Sequence, residues 1–387
     1  MRLITKGSRL ARAALAAAAG CATVLSWAAV SHAGTVGQEA TPSRAARTAV
    51  MAASSFGGTS QLTDVSCRSQ SWCMAVGQYT TTDKARHSLA AIWTGSGWRT
   101  LKNPPGIGLP AVACSSEKFC MAGGGPTGVM TWNGSVWRKI AAPSGGLSGV
   151  TCASRTLCMT TVGQAFYVWN GTSWHNVKQI SDFCNGTAPG PCGISGLSCG
   201  STTNCMAVGT WTVSQEPVQE TLGWFWNGKT WSFVQPPGAG NPAESNAVSC
   251  AGGFCMATGS AYSEVAGGGI ATAGTWSAAT TTWTDVSPNL GTLCTGALVT
   301  CDWAGQVACS GPSNCMTLGG VVGSQLWNGT GWQAEKTISA GRGSGLTSIS
   351  CGGSDCLAVG WRTSSGKRRT LAELWSGSSW AIVGSPK

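Results

Sequence analysis

The chain has 387 residues, of which only 10% are charged, and it contains 56 glycines, 20 tryptophans and 19 cysteines. Its formal net charge of +10 falls to +6 without the four basic residues of the N-terminus, because 20 Lys and Arg then face 14 Asp and Glu. This mild bias, without Lys and Arg clustered among stacking aromatics, argues against a nucleic-acid-binding surface, and the composition favours short strands, tight turns and aromatic packing.

The first predicted element is an export signal. Four basic residues lead into an Ala-rich apolar run over residues 13–30, and Ser31-His32-Ala33 resembles the motif cleaved by signal peptidase. We therefore predict a signal peptide over residues 1–33 and a flexible segment over residues 34–60, in a secreted protein without stable membrane insertion. Two alternatives stay open: an uncleaved anchor, since the run is about 18 residues long, and lipidation at Cys21.

A pair of cysteines recurs seven times after this segment, with four or five residues between its members. Short strand-like runs flank each pair, and facing cysteines of a hairpin lie within disulfide reach. The eighteen cysteines outside the leader predict nine disulfides, as is typical of an oxidising compartment. The repeated pairs are Cys67/Cys73, Cys114/Cys120, Cys152/Cys158, Cys199/Cys205, Cys250/Cys255, Cys309/Cys315 and Cys351/Cys356.

A pair of tryptophans follows each cysteine pair and indicates a second hairpin. Its turn is clearest at Asn133-Gly134, a dipeptide that favours tight hairpins because both residues accept a positive φ. Two hairpins give four strands per unit, and the first cysteine advances about 47 residues per unit from Cys67 to Cys351. This spacing predicts an all-β fold, a seven-bladed β-propeller of four-stranded antiparallel blades over residues 61–387, with disulfide-stapled hairpins.

The units resemble the secreted β-propeller repeats of actinobacteria and, more distantly, the kelch or galactose-oxidase central-domain superfamily. The resemblance covers roughly residues 61–386 and implies the architecture only, because propellers host unrelated functions. The tryptophan hairpin is similar to the Asp-box hairpin of sialidases, although asparagine replaces the expected aspartate and the preceding Ser or Thr pattern is missing. The asparagines concerned are Asn133, Asn170, Asn227 and Asn328.

One face of this propeller should carry functional loops. We label the four strands of a blade A to D in chain order, with A and B joined by the cysteine hairpin and C and D by the tryptophan hairpin. The B-to-C and D-to-A connections then lie on the same face of the propeller, which we call the loop face. Two long connections there hold four further cysteines, which would order the loops within each connection or by cross-pairing. Alternatively they cover a blade edge. These cysteines are Cys184 with Cys192 and Cys294 with Cys301.

Three tryptophans outside the seven pairs belong to the loop face: Trp211, Trp303 and Trp361. An exposed indole offers a flat apolar surface and one N–H donor, which suit a sugar ring. The alternative is that each tryptophan packs beside its own strand. Candidate polar partners are Asp182, Gln215, Glu216, Glu220, Asp302 and Arg362, while the basic run Lys367-Arg368-Arg369 is expected at a solvated loop tip.

We expect a non-catalytic, monomeric recognition propeller that binds a glycan or a cell-surface protein through the loop face, with no nucleic-acid partner. No cofactor or metal is expected, because the cysteine pairs lack C-x-x-C spacing and only two histidines follow the leader. One alternative is a secreted polysaccharide-cleaving enzyme, either a hydrolase with two carboxylates such as Asp182 and Asp302 or a lyase with His87 as base. Another is a passive scaffold of the cell envelope.

Overall fold

A computed structural model describes residues 56–386, apart from gaps at 103, 105, 107, 125–127, 144–145, 181–191, 214–217, 237–242, 264–267, 289–305, 320–322 and 336–342. Twenty-eight β-strands and no helix occur within these residues. The strands form seven antiparallel sheets of four consecutive strands each, so the predicted seven-bladed propeller is confirmed. A helix long and apolar enough to cross a membrane is not found among the residues described.

The strands of blades 1 to 4 are β1 (Ser60–Ser69), β2 (Trp72–Thr80), β3 (Arg86–Trp93), β4 (Trp98–Thr100); β5 (Ala111–Ser116), β6 (Phe119–Gly123), β7 (Val129–Trp132), β8 (Trp137–Ile140); β9 (Thr151–Ser154), β10 (Leu157–Val162), β11 (Ala165–Trp169), β12 (Trp174–Gln179); β13 (Cys192–Ser201), β14 (Asn204–Val213), β15 (Val218–Trp226) and β16 (Trp231–Phe233). Those of blades 5 to 7 are β17 (Ala243–Ala251), β18 (Phe254–Ser263), β19 (Gly268–Ser277), β20 (Thr282–Asp285); β21 (Gln306–Gly311), β22 (Asn314–Leu318), β23 (Ser324–Trp327), β24 (Trp332–Glu335); β25 (Ser344–Gly352), β26 (Asp355–Ser364), β27 (Lys367–Trp375) and β28 (Trp380–Ile382).

One row of four side chains crosses every blade. In blade 1, Cys67 lies opposite Cys73, Cys73 opposite Trp93, and Trp93 opposite Trp98. The other six blades repeat this register. The paired indoles are tilted, with ring centroids 5.4 to 5.9 Å apart, a geometry that aromatic pairs favour. The two sequence motifs therefore recur together because they are neighbours across the sheet.

Seven disulfides join the first two strands of the seven blades, with Cα–Cα distances of 3.9 to 4.0 Å, and they are the seven repeated pairs. Each of these bridges closes a hairpin inside one blade and leaves neighbouring blades without a covalent cross-link. They are Cys67–Cys73, Cys114–Cys120, Cys152–Cys158, Cys199–Cys205, Cys250–Cys255, Cys309–Cys315 and Cys351–Cys356.

The four cysteines outside the repeat are described only in part. Cys192 is disulfide-bonded. Its predicted partner Cys184 lies outside the described residues, as do Cys294 and Cys301. The pairing of these four cysteines therefore stays a prediction.

The core consists of seven apolar clusters, one between each pair of neighbouring blades. The residue directly after the second cysteine of a blade packs in the same cluster as the disulfide of the next blade, as Met74 does with Cys114 and Cys120. A methionine suits this position because its flexible thioether fills irregular gaps. The equivalent residues are Met121, Met159, Met206, Met256 and Met316, with Leu357 in blade 7 against the disulfide of blade 1.

A ring of hydroxyl groups links neighbouring blades around the central channel. In five blades the residue before the first cysteine is Ser or Thr, and its hydroxyl accepts a hydrogen bond of 2.8 to 3.0 Å from the amide of the first cysteine of the next blade. Ala113 and Ala308 stand at this position in blades 2 and 6. The acceptors and donors are Ser66 and Cys114, Thr151 and Cys199, Ser198 and Cys250, Ser249 and Cys309, and Ser350 and Cys67.

The ring closes between blade 7 and blade 1 without any exchange of strands among the described residues, because each sheet consists of four strands consecutive in the chain. Side-chain hydrogen bonds replace the peptide connection found at the other six junctions. The Thr347 hydroxyl donates to the Leu62 carbonyl at 3.1 Å, the Ser348 hydroxyl to the Asp64 carboxylate at 2.6 Å, and the Gln70 amide to the Ser354 hydroxyl at 2.7 Å. We call this junction the seam.

Candidate functional site

The strand order places the two hairpin turns of each blade at one rim of the propeller and its B-to-C and D-to-A connections at the other. The described ends of the B-to-C and D-to-A connections therefore lie at one rim, where the sequence predicted the loop face. Three of the predicted ligand-binding residues lie in its described part, namely Trp211, Trp361 and Arg362. Four others, Trp303, Asp182, Glu216 and Asp302, lie outside the described residues, as does Gln215.

The second cysteine of each repeated pair, which the sequence singled out beside these ligand-binding candidates, does not belong to a binding surface, whereas the first cysteine of each pair lines the central channel. The second cysteine of each pair is buried between its own blade and the blade before it, within an apolar cluster. A side chain without exposed surface cannot contact a ligand, so these residues serve the fold alone. Cys73 is 2% exposed, and the six that are 0% exposed are Cys120, Cys158, Cys205, Cys255, Cys315 and Cys356.

Trp361 is half-buried towards the loop-face end of β26, opposite Gly345 on β25 and Thr370 on β27. The guanidinium of Arg368 lies over its ring, 4.0 Å from the centroid, which is a cation–π contact. A Cβ at position 345 would come within 3.2 Å of the indole Nε1, so glycine leaves the space that the ring occupies. The indole is held in place at the rim, with one of its faces covered by a cation.

Arg362 follows Trp361 and lies opposite Arg369. The run Lys367-Arg368-Arg369 is not a loop tip, as the sequence indicated, but the beginning of β27. Its side chains reach across the seam and donate hydrogen bonds to oxygen atoms of the segment that begins blade 1. The basic run therefore belongs to the junction between the last blade and the first.

Trp211 lies half-buried in β14, opposite Cys192 and Glu220, and packs against the apolar cluster between blades 3 and 4. This is the local packing that the sequence left as the alternative for each tryptophan. Trp211 and Trp361 belong to blades 4 and 7, which are not neighbours in the ring. They share the loop face without forming one contact site.

Aromatic rings stack on blade 1 beside the seam. His87 lies in β3 and not in the preceding loop, where the sequence placed it. Its ring stacks on Tyr79 with centroids 5.1 Å apart, and Tyr79 stacks on Phe56 at 4.4 Å. Phe56 and Tyr79 pack against the apolar cluster between blades 7 and 1. The stack therefore lies at the same junction as the basic run of blade 7.

The first strands of all seven blades line a central channel with two cavities. The cavity towards the loop face has a volume of about 330 Å³, and its one ionisable lining residue is Asp64. The cavity towards the hairpin turns has a volume of about 370 Å³, and its one ionisable lining residue is Arg68. Glycoside hydrolysis usually uses two opposed carboxylates, and the described lining of either cavity supplies at most one. Sequence reasoning missed Asp64, although it stands three residues before a repeated cysteine where other blades have Ala, Gly, Gln or Ser.

Asp64 connects three blades. Its carboxylate accepts hydrogen bonds from the Ser348 hydroxyl of blade 7 at 2.6 Å and from the Val112 amide of blade 2 at 2.7 Å. Burial nevertheless raises the pKa of Asp64 to about 6, since desolvation outweighs these bonds. The arrangement is a structural bridge in the channel wall. Within the described ranges no group of three or more His, Cys, Asp or Glu side chains is placed to hold a metal ion.

No protein family matches the sequence, and no curated protein sequence matches it significantly. Solved structures are similar in fold. YCF48 bound to D1 peptide is 13% identical, with a TM-score of 0.50 over 79% of this chain and 92% of that chain. A GH74 enzyme of Niastella koreensis is 14% identical, with a TM-score of 0.52 over 85% of this chain and 55% of that chain.

An acylaminoacyl peptidase of Pyrococcus horikoshii is 8% identical, with a TM-score of 0.53 over 85% of this chain and 53% of that chain. The chain thus spans about half the length of the two enzymes and nearly all of the YCF48 chain. At these identities the likeness shows the propeller fold alone, because one fold hosts many functions.

Proposed function

We propose that the protein is a secreted, non-catalytic recognition propeller that binds a carbohydrate or a cell-surface partner through its loop face. The observation that carries this proposal is the fixed indole of Trp361, half-buried at the rim and in contact with the guanidinium of Arg368 at 4.0 Å. A rigid aromatic ring beside a cation supplies both a stacking surface and hydrogen-bond donors. The contacts of Trp361 with Gly345 and Arg368 hold the indole in place before a ligand arrives, which lowers the entropic cost of binding.

Secretion is part of the proposal. Seven disulfides in the described blades are typical of a protein that folds in an oxidising compartment. A signal peptide over residues 1–33 and a flexible segment that begins at residue 34 complete this proposal. The segment was expected to reach residue 60 and the propeller to span residues 61–387, but Phe56 packs against blade 1 and β1 begins at Ser60, so the propeller includes these residues. The protein would act as a monomer outside the cell.

Two observations on other propellers are compatible with a binding role. One similar structure contains a bound peptide and another is a GH74 enzyme. The relationship to kelch and galactose-oxidase propellers and to Asp-box hairpins is also a proposal. The likeness to Asp-box hairpins is supported by the turn asparagines, whose side-chain oxygens accept bonds from the amides two and three residues later, as Asn133 does from Ser135 and Val136 at 3.0 and 2.9 Å.

Binding of the oxidised, secreted protein to a broad array of bacterial, fungal and plant glycans tests the proposal. We expect a selective signal that falls at least about tenfold in the Trp361→Ala variant, a loss equal to about 1.4 kcal/mol of binding free energy. The matched control is Val136→Ala, since Val136 is a 47% exposed apolar residue in a hairpin turn on the opposite face.

Near-ultraviolet circular dichroism should show that both variants fold. Undiminished binding by folded Trp361→Ala would contradict the assignment of the site. Silence across the array, together with no binding to intact cells, would contradict the recognition function itself. Release of reducing ends or unsaturated sugars from a bound polysaccharide would favour the enzyme instead.

A further inference from the structure

A basic surface crosses the seam on the loop face. Its cations come from two B-to-C connections and the strand ends beside them, between β2 and β3 in blade 1 and between β26 and β27 in blade 7. Asp83 is the one carboxylate in these two places. We call it the seam surface. Its six cations are Lys84, Arg86, Arg362, Lys367, Arg368 and Arg369.

Backbone contacts bring the cations of the two blades together. Arg369 of blade 7 donates a hydrogen bond to the carbonyl oxygen of Gly58. The Gly58 amide donates to the carbonyl of Thr80 at 3.1 Å. Thr80 in turn lies opposite Arg86 in the sheet of blade 1. The arginines at the ends of the two hairpins are thus linked through two residues, and the seam surface is continuous.

Four of the six cations are held by uncharged oxygens. Amide and carbonyl oxygens hold a cationic side chain in place without neutralising it, and each arginine has further N–H groups that remain available. In addition, the Nε of Arg362 is buried and has no hydrogen-bond partner among the described residues. The bonds are Lys367 to the Gly57 carbonyl at 3.1 Å, Arg368 to Gln61 Oε1 at 3.2 Å, Arg369 to the Gly58 carbonyl, and Arg86 to Gln78 Oε1 at 2.6 Å.

Aromatic rings stand among these charges. Trp361 contacts Arg368, and the stacked rings of Phe56, Tyr79 and His87 lie on the blade 1 side of the seam. Arginine pairs with carboxylate, sulfate or phosphate through two parallel hydrogen bonds, and aromatic rings pack on the apolar faces of sugars. A ligand that satisfies both features is a chain of sugar rings with an anionic group at regular intervals.

We propose that the seam surface binds an acidic polysaccharide, whose anionic groups pair with the cations and whose sugar rings pack on the aromatic side chains. The inference rests on the recognition function proposed above and gives the chemical class of its ligand. It also explains why the B-to-C connections of the first and last blades, which are neighbours in the ring, carry cations without a matching set of carboxylates. Attraction between such a surface and a polyanion weakens as salt screens the charges.

Polygalacturonate and its fully methyl-esterified form make a sharp pair of probes, because they share one sugar backbone and differ in charge. With the oxidised full-length protein we expect binding to polygalacturonate that weakens steeply with added NaCl, and at least about tenfold weaker binding to the ester. Chondroitin sulfate and a phosphate-bearing teichoic acid distinguish which anionic group is preferred. Duplex DNA serves as a polyanion that presents no sugar chain of this kind.

Two double variants separate the seam surface from charge in general. Arg86→Gln with Arg368→Gln removes two cations from the seam surface and should weaken polygalacturonate binding about tenfold or more. Lys118→Gln with Lys229→Gln removes the same charge from exposed turns on the opposite face and should leave binding unchanged. The comparison of polygalacturonate with its methyl ester uses the unaltered protein. It therefore tests whether binding needs the anionic groups even if a variant folds poorly.

Equal binding of the acid and the ester would overturn the inference while leaving carbohydrate recognition intact. Equal loss in the two double variants, or binding of duplex DNA as tight as that of the best acidic polysaccharide, would also overturn it. Selective binding of neutral glycans or of a protein partner, with none of the acidic polymers bound, would do the same. Failure to bind any glycan, cell or protein would contradict the proposed recognition function as well.

Discussion

The hydroxyl of Ser350 accepts a hydrogen bond of 2.9 Å from the amide of Cys67, and this bond joins the last blade to the first. The same bond links Ser66 to Cys114 at 3.0 Å between blades 1 and 2. The two junctions differ because blades 1 and 2 are also consecutive in the chain, whereas blades 7 and 1 are held together by non-covalent contacts alone among the described residues. The seam is therefore the place where the ring can open.

Removing the seam hydroxyl should destabilise the ring. A typical hydrogen bond contributes about 1 kcal/mol, so Ser350→Ala should lower the free energy of unfolding in urea by about that amount. Ser66→Ala removes the same bond at a junction that the chain also connects. We expect a similar loss of stability there, but a larger rise in amide exchange at Cys67 in Ser350→Ala than at Cys114 in Ser66→Ala. Equal exchange in both variants would contradict a special role of the seam.

Restoring a missing hydroxyl should stabilise the protein. Ala113 precedes the first cysteine of blade 2, and Thr151 is the equivalent residue of blade 3. The Thr151 hydroxyl accepts a hydrogen bond of 3.0 Å from the Cys199 amide. Ala113→Thr offers an acceptor to the Cys152 amide, whereas Ala113→Val has the same shape without the hydroxyl. We expect the Thr variant to be about 1 kcal/mol more stable than the Val variant in urea unfolding. A Val variant as stable as the Thr variant would contradict the role given to the hydroxyl ring.

Stability should fall as pH rises towards 8. Glu373 is fully buried, both of its carboxylate oxygens lack a hydrogen-bond partner in the described part of the chain, and burial raises its pKa to about 7. Burial also raises the pKa of Asp64 to about 6. Because both values are above those of the unfolded chain, the folded state binds more protons between about pH 4 and pH 7, and its stability is lost as pH rises through that window.

The variant Glu373→Gln isolates this effect. The amide keeps the shape of the side chain and cannot ionise, so the variant should lose most of the decline in melting temperature between pH 5 and pH 8 and should exceed the wild type by about 2 kcal/mol at pH 8. A control, Glu117→Gln, changes an exposed carboxylate at a hairpin turn and should leave the pH profile as it is. Parallel profiles for wild type and Glu373→Gln would contradict the assignment.

Each disulfide should stabilise its own blade. The Cys199–Cys205 bridge closes a loop with a sequence separation of 6, for which the chain-entropy estimate is about 2 kcal/mol. The double variant Cys199→Ala with Cys205→Ala should lose about that amount in urea unfolding, with unchanged near-ultraviolet circular dichroism under native conditions. Thiol labelling of the secreted, denatured and unreduced protein should detect no free thiol in the seven repeated pairs. Free thiols there would contradict the stapled blades.

The blade architecture could be predicted because the strongest residue signals form one row across each sheet. Cys120, Trp132 and Trp137 lie opposite one another in blade 2, so cysteine and tryptophan had to recur with a fixed spacing. The contacts between blades could not be predicted in this way. The bond from Cys67 to Ser350 joins residues 283 positions apart, and a single sequence gives no sign of such pairing.

The candidate site was predictable only in part. The loop face was predicted from two hairpins, and hence four strands, in each blade. Trp361 and Arg362 lie towards that face in β26. The basic run at Lys367 was misjudged because its exposed residues resemble a loop, whereas they belong to a strand that contacts blade 1. The charge of a residue can be taken from the sequence, but the residues that it contacts in the neighbouring blade across the seam cannot.

The placement of the disulfides has a consequence for how such a chain can be rearranged. The seven repeated bridges each lie within one blade, and the hydroxyl bond at the seam also occurs at four of the other six junctions, so these contacts do not require blade 1 to be first or blade 7 to be last. A circular permutant, with the old ends joined by a linker and new ends cut in the connection after blade 1, where Ser66 and Cys114 form the hydroxyl bond, would keep the seven repeated bridges. A blade that is duplicated or lost would likewise leave the repeated bridges of the remaining blades with the partners they have now.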